Sequence, residues 1–200
     1  MRALIPNALT LLRTVLAPLG AWALWTSYDW SMNHNVPESL GDPALAASGL
    51  ALFAVIAFVI SAVSDWLDGF LARRWSAQSS FGALLDPIAD KLLVGGYLLV
   101  YTLILGHPVY ILVPVAAIIL RDIVMTGLRL TSGQSGDAAL PVSPLAKIKT
   151  ALEMILIGVP FIAVWLGWLE GGLFLMLWMG ALWITAALSL LTAIQYFRKR

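Results

Sequence analysis

The sequence predicts an all-α, polytopic integral membrane protein with six transmembrane helices and a short N-terminal interfacial segment. Three observations carry this expectation. Of 200 residues, 60% are hydrophobic and only 12% charged, and the mean hydropathy is +0.90, which excludes an ordinary soluble domain. Apolar runs of about 20 residues, the length that crosses a hydrocarbon core, recur six times. The twelve Lys and Arg residues are confined to alternate ends of those runs, the charge pattern of a chain threaded back and forth through a bilayer.

The chain opens with Pro6-Asn7 ahead of Ala8-Leu9-Thr10-Leu11-Leu12-Arg13. Residues 1–13 are expected to lie in the interface before the first span turns inward. Asn7 and Thr10 also have the chemistry of helix caps. The spans are expected at about 8–28, 44–64, 82–105, 109–131, 150–168 and 172–196, each roughly the required length. Turn-forming residues punctuate them: Asn33 to Pro43, Gly106-His107-Pro108, Ser132 to Pro144, and Gly167 to Gly172. Trp25, Trp30, Trp75, Trp165 and Trp168 fall near span ends, as in an aromatic belt. Cysteine is absent, so neither a disulfide framework nor a thiolate centre is available. The first apolar run is too long for a cleavable leader and lacks its exit site. Residues 1–200 are read as one domain.

Orientation follows from the basic residues. They lie in or near the N-terminus, the 2–3 loop, the 4–5 loop and the C-terminus, whereas the other loops carry only Asp29, Glu38, Asp42 and Glu170. Both termini are therefore expected in the cytoplasm. The terminal Arg198-Lys199-Arg200 would anchor that side and meet anionic lipid. A net charge of +1 gives no reason to expect a nucleic-acid partner. His34 and His107 sit in the opposite loops, away from the acids, and receive no role.

The chemistry concentrates between Asp65 and Asp90. Asp65 and Asp68 are three residues apart, and Asp86 and Asp90 four, so on helices each pair shares a face. Ser76 to Ser80 is a polar run where the chain would reverse. Positions 65/90 and 68/86 then share nearly one midpoint, and an antiparallel hairpin would stack the two pairs as facing layers. Such a quartet cannot stay fully ionised alone in a low-dielectric setting. Bound cations would relieve it, and an all-oxygen donor set favours Mg2+, Ca2+ or Mn2+ over zinc. Gly69, Ala72 and Gly82 beside the acids suit close helix packing and room for a bulky ligand, two roles that are compatible. Arg73 either binds an anion or snorkels to the interface.

A second cluster lies around the 4–5 loop. Arg121 and Arg129 bracket an apolar stretch that begins with Asp122, and Lys147-Ile148-Lys149-Thr150 follow. As orientation anchors most of these need no further role. Arg121 sits deep in an apolar run, however, and calls for a partner, either Asp122 or a phosphate.

Taken together, Asp65-x2-Asp68-Gly69-x2-Ala72-Arg73-x8-Gly82-x3-Asp86-x3-Asp90 resembles the signature of the CDP-alcohol phosphatidyltransferases at every position. Pro6-Asn7-x2-Thr10-x2-Arg13, Arg121-Asp122-x6-Arg129 and Lys147-x-Lys149-Thr150 look like the bacterial branch that uses glycerol 3-phosphate as acceptor. Asp122 stands where that branch usually has Glu, and Ala146 and Glu153 replace a usual Gly and Gln.

The resemblance implies a reaction in phospholipid biosynthesis, in which CDP-diacylglycerol and glycerol 3-phosphate give phosphatidylglycerophosphate and CMP. It implies two Mg2+ or Mn2+ ions held by Asp65, Asp68, Asp86 and Asp90, with Asp90 as the base. It also implies a CDP-diacylglycerol site bordered by Asp68, Gly69, Ala72, Arg73 and Gly82, with Asn7, Thr10 and Ser79 as further candidates. Arg121, Arg129, Lys147 and Lys149 would take the acceptor phosphate. A homodimer in the bacterial inner membrane, with a cytoplasmic site, is expected on the same ground.

A cardiolipin synthase, or another family member with a different acceptor, is the nearest alternative. The cluster of basic residues argues against a lipid acceptor, whose phosphate is already a diester. A divalent-cation transporter is a more remote one, because its acids should be spread along a path, and these group in one hairpin.

Overall fold

The structure, a computed structural model, describes residues 4–33, 36–75, 80–131, 144–170 and 172–198. Among these residues it is all-helical, without strands. The helices are α1 (Leu4–Asn33), α2 (Pro43–Trp75), α3 (Ser80–Ile104), α4 (Val109–Thr131), α5 (Pro144–Trp165) and α6 (Leu173–Arg198), with a short 3-10 turn at Glu38–Leu40. Each of the six is long and apolar enough to cross a membrane. They group into two compact units, Met1–Gly106 and His107–Arg200.

The expected spans correspond to these six helices; all but α4 extend past the expected bounds at one end or both, while residues 105, 166–168 and 172 lie outside the helices. Residues 4–13 form the first turns of α1, continuous with the first span. Helix α2 runs for 33 residues, about 50 Å at 1.5 Å per residue, well beyond a hydrocarbon core of about 30 Å. Its start is defined by chemistry: Asp42 accepts the Ala44 amide at 2.9 Å, and Pro43 takes the first helical position, where no amide is needed.

In the first unit, α1 packs extensively against both α2 and α3, whereas those two touch each other only sparingly. The hairpin expected from the sequence is therefore opened by a third helix. Small residues let α1 in. Its buried stripe runs Thr10, Arg13, Ala17, Gly20 and Ala21, and the facing stripe of α2 runs Ala54, Ala57, Ser61, Ser64 and Asp68, at the three-to-four spacing of one helix face. A Cβ on Gly20 would overlap the Tyr97 hydroxyl and come within 2.8 Å of the Ala57 methyl. That hydroxyl donates to the Ala54 carbonyl at 2.7 Å, and the Tyr97 ring meets Phe58 edge-on at 5.8 Å. Ser27 adds a bond from α1 to the Ala47 carbonyl of α2 at 2.8 Å. On the outer face of α2, Trp66 and Phe70 stack and are exposed, as suits a lipid-facing surface.

In the second unit, α6 packs on α4 and α5. Ile111, Val115, Ile118, Asp122 and Met125 form the inner stripe of α4, and Leu182, Ala186 and Ser189 lie on that of α6. Indole donors cross between helices, from Trp178 to the Leu156 carbonyl at 2.9 Å and from Trp183 to the Tyr110 carbonyl at 3.0 Å. Helix α5 ends where Gly167 adopts φ +70°. The Trp168 amide then reaches the Ala163 carbonyl at 2.9 Å and the Gly167 amide the Val164 carbonyl at 3.2 Å, closing the terminal turn.

Gly20→Ala is expected to destabilise the protein by about 1–3 kcal/mol, the usual cost of overpacking a filled interior. Thermal unfolding in detergent measures it. Gly20→Ala combined with Tyr97→Phe should lose less than the two changes sum to, because removing the hydroxyl makes room for the methyl.

Candidate functional site

The four aspartates converge, and what joins them is Arg13. Its guanidinium comes from α1 between the two acid-bearing helices. Nη1 donates to Asp65 Oδ1 and lies 3.6 Å from Asp90 Oδ1. Nη2 lies 3.5 Å from Asp68 Oδ2 and 3.6 Å from Asp86 Oδ1. One nitrogen thus serves the 65/90 layer and the other the 68/86 layer, the pairing that the shared midpoint predicts. Thr10, one turn before Arg13, places its hydroxyl 2.7 Å from Asp86 Oδ1, 3.3 Å from Asp68 Oδ2 and 3.1 Å from the Pro6 carbonyl. It has one proton to give, and Asp86 is the nearest acceptor.

Exposure divides the quartet. The Arg13 side chain is 0% exposed and that of Asp68 7%, whereas Asp65, Asp86 and Asp90 retain 37%, 46% and 38%. Asp68 is thus a sealed member, and the other three remain reachable from outside. Satisfaction is incomplete. Arg13 Nε and Nη2 and Asp90 Oδ1 are buried without a hydrogen-bond partner among the described residues.

Around the quartet, Gly69 directly follows Asp68 on α2, and the buried Gly82 lies one turn before Asp86 on α3. Asn7 is half-buried on α1, one turn before Thr10. Ser79 and the side chains of Ala72, Arg73 and Arg129 lie outside the described residues.

The second cluster is a closed set of charges. Lys149 donates to both oxygens of Asp122, at 2.6 and 2.7 Å, and lies 2.8 Å from Glu153 Oε1 one turn on. Arg121 donates from Nη1 to Asp122 at 2.8 Å, from Nε to the Ser189 carbonyl at 3.0 Å and from Nη2 to the Thr192 hydroxyl at 2.8 Å. The partner sought for Arg121 is therefore Asp122, with α6 supplying the rest. Lys147 stands apart and exposed on α5, because positions two apart on a helix face different ways.

Sequence reasoning missed Arg13, which it counted among the orientation anchors. A signal was present: Arg13 is a charge inside the first apolar run, three residues after Thr10, and such charges face a partner more often than lipid.

These features define an integral membrane protein that gathers four carboxylates and a guanidinium inside its first three helices. Its family is also defined. A family model for the CDP-alcohol phosphatidyltransferases matches residues 3–192, and the chain belongs to that family. It is similar to curated proteins named CDP-diacylglycerol–glycerol-3-phosphate 3-phosphatidyltransferase. It is 32% identical to that of Cereibacter sphaeroides, with 98% of this chain and 94% of the relative covered. Identity to the Sodalis glossinidius protein is also 32%, with 98% and 94% covered. For the protein of Escherichia coli strain K12 it is 34%, with 82% and 76% covered.

Lys149→Met is expected to cost about 3 kcal/mol, since it leaves the buried Glu153 without its cation and Asp122 with Arg121 alone. Lys147→Met, on the exposed face, should stay within about 0.5 kcal/mol of the parent. Chemical or thermal unfolding of the two variants side by side makes the comparison.

Proposed function

We propose that the protein transfers the phosphatidyl group of CDP-diacylglycerol to glycerol 3-phosphate, releasing CMP and forming phosphatidylglycerophosphate. The observation that carries this is the aspartate quartet in its paired register, in a chain of this family. The choice of acceptor is supported by the names of the relatives, which match over nearly the whole chain.

Two divalent ions, Mg2+ or Mn2+, suit the quartet by donor chemistry, although the carboxylates of the described residues are not drawn together as a metal cluster in this structure. The donors are all carboxylate oxygens, four of them lie about one guanidinium, and Asp90 Oδ1 is buried and unpaired. Asp65, Asp68, Asp86 and Asp90 would hold the ions, which when bound neutralise the diphosphate and the charge developing on it. The chain's own residues do the rest. Asp90 takes the proton from the acceptor hydroxyl, whose oxygen forms a bond to the lipid-side phosphorus as the bond to the CMP oxygen breaks. Asp68, sealed beside Arg13, fixes the inner wall. Gly69, Ala72, Arg73 and Gly82 border the cytidine diphosphate, with Asn7, Thr10 and Ser79 as secondary contacts.

Arg121, Arg129, Lys147 and Lys149 attract the acceptor phosphate. The charge asymmetry of the loops supports a cytoplasmic site with both termini on the same side of a bacterial inner membrane. Residues 1–200 act as one catalytic domain, as a homodimer.

The test is CMP release by the purified protein from CDP-diacylglycerol and Mg2+ across a panel of alcohols. Glycerol 3-phosphate should be the best acceptor, and chelation should abolish the reaction. A preference for phosphatidylglycerol would overturn the acceptor, and full activity in chelator would overturn the metal assignment. Asp90→Asn should lower turnover by about 10²–10⁴ with folding retained. Lys147→Ala should raise the KM for glycerol 3-phosphate about tenfold, the worth of one charged hydrogen bond, and leave that for CDP-diacylglycerol unchanged. Lys147 is the cleaner probe because truncating Arg121 or Lys149 also uncovers buried acids.

A further inference from the structure

We propose that Arg13 is a built-in, exchangeable counter-ion of the aspartate quartet, which holds the four carboxylates together and competes with divalent cations for their oxygens. This rests on the reading of the quartet as a metal site.

The argument starts from charge. One guanidinium faces the four carboxylates, with Lys91 acting on Asp90 as a second positive charge, so the quartet keeps a formal excess of negative charge. Arg13 therefore restrains the acids without neutralising them, and an attraction for further cations remains. Two divalent ions would balance the quartet by themselves. Arg13 would then be a surplus positive charge in a confined space, repelled where it had been attracted.

Geometry points the same way. A guanidinium fixed for structure uses its donors, as Arg121 does with three directional bonds from Nε, Nη1 and Nη2. Arg13 is fully buried, yet among the described residues only Nη1 makes a hydrogen bond, and Nε and Nη2 have no such partner. Its remaining contacts, at 3.5–3.6 Å, are too long for hydrogen bonds. It is held by net charge more than by bonding geometry, and charge is what an incoming cation alters. The oxygens facing Arg13, one from each aspartate, are the atoms a hard cation would take.

The consequence is reciprocal. Metal binding and the Arg13 contact oppose each other, so removing either strengthens the hold of the other partner on the carboxylates. The carboxylates gain a stand-in that keeps α2 and α3 from being driven apart before metal loads, at the expense of weaker metal affinity.

The experiment uses the full-length protein in detergent and Mn2+ as probe, with free Mn2+ followed by electron paramagnetic resonance and unfolding by a thermal melt. Arg13→Gln is expected to bind Mn2+ with a midpoint about tenfold lower than the parent, within the usual range of coupling between sites. In chelator its melting temperature should fall below the parent's, and Mn2+ should restore more of it than in the parent. An unchanged or higher Mn2+ midpoint, or a melting temperature in chelator equal to the parent's, overturns the proposal. Should Arg13→Gln fail to fold even with Mn2+, Arg13→Lys decides. Lysine keeps the charge but reaches fewer oxygens, so a lowered midpoint supports competition and a parental one overturns it. A parent protein that binds no Mn2+ overturns the metal reading itself, an outcome separate from a parent and variant that bind it equally.

Discussion

The contact between Arg13 and four aspartates is the constraint on which the first three helices depend. Carboxylates from two helices would repel each other wherever water is scarce, and the cost rises as the local dielectric falls. A single guanidinium on a third helix, with one nitrogen for each layer, turns that repulsion into a shared attachment. Thr10 completes it by giving its proton to Asp86. The arrangement explains why α1, rather than a direct α2–α3 seam, forms the interior of this unit.

Bringing a charged helix that deep requires close backbone approach, and the sequence provides it in small residues. Ala17, Gly20 and Ala21 on α1 meet Ala54 and Ala57 on α2, and Tyr97 spans from α3 to the Ala54 carbonyl through the gap that Gly20 leaves. In a membrane the hydrophobic effect gives little reason for helices to associate, so tight packing and interhelical hydrogen bonds carry more of the load. The lower part of the bundle thus sets the register of the upper part. Asp90 lies two turns from Tyr97 on the same helix, so a shift at Tyr97 would move the acid with it.

Much of this was legible in the chain. Six spans follow from apolar length alone, and the 65/90 and 68/86 layers follow from spacing about one turn, because helical periodicity fixes which residues share a face. Partners distant in sequence were not legible. Hydropathy counts Arg13 as one charge near an end and says nothing of the four acids more than fifty residues away. Nor does it reveal that Ser189 and Thr192, ordinary small polar residues in an apolar helix, hold Arg121 from α6. Lys147 and Lys149 look equivalent as a basic pair, yet one is exposed and the other buried between two acids. Two residues of helical rotation decide that difference, and composition does not record it.

The two charge clusters in this chain show how balance separates structure from readiness to react. Around Asp122, two cations meet two anions, and Arg121 adds bonds to a carbonyl and a hydroxyl. Charge is matched, donors are used, and the cluster has no excess negative charge to draw a further cation. Around Arg13, four carboxylates face one guanidinium, whose Nε and Nη2 lack hydrogen-bond partners among the described residues, and three of the four acids stay partly exposed. Both lie within apolar helices, so burial alone does not distinguish them. The residual negative charge does, because it is a standing free-energy gradient for cations toward one cluster and not the other.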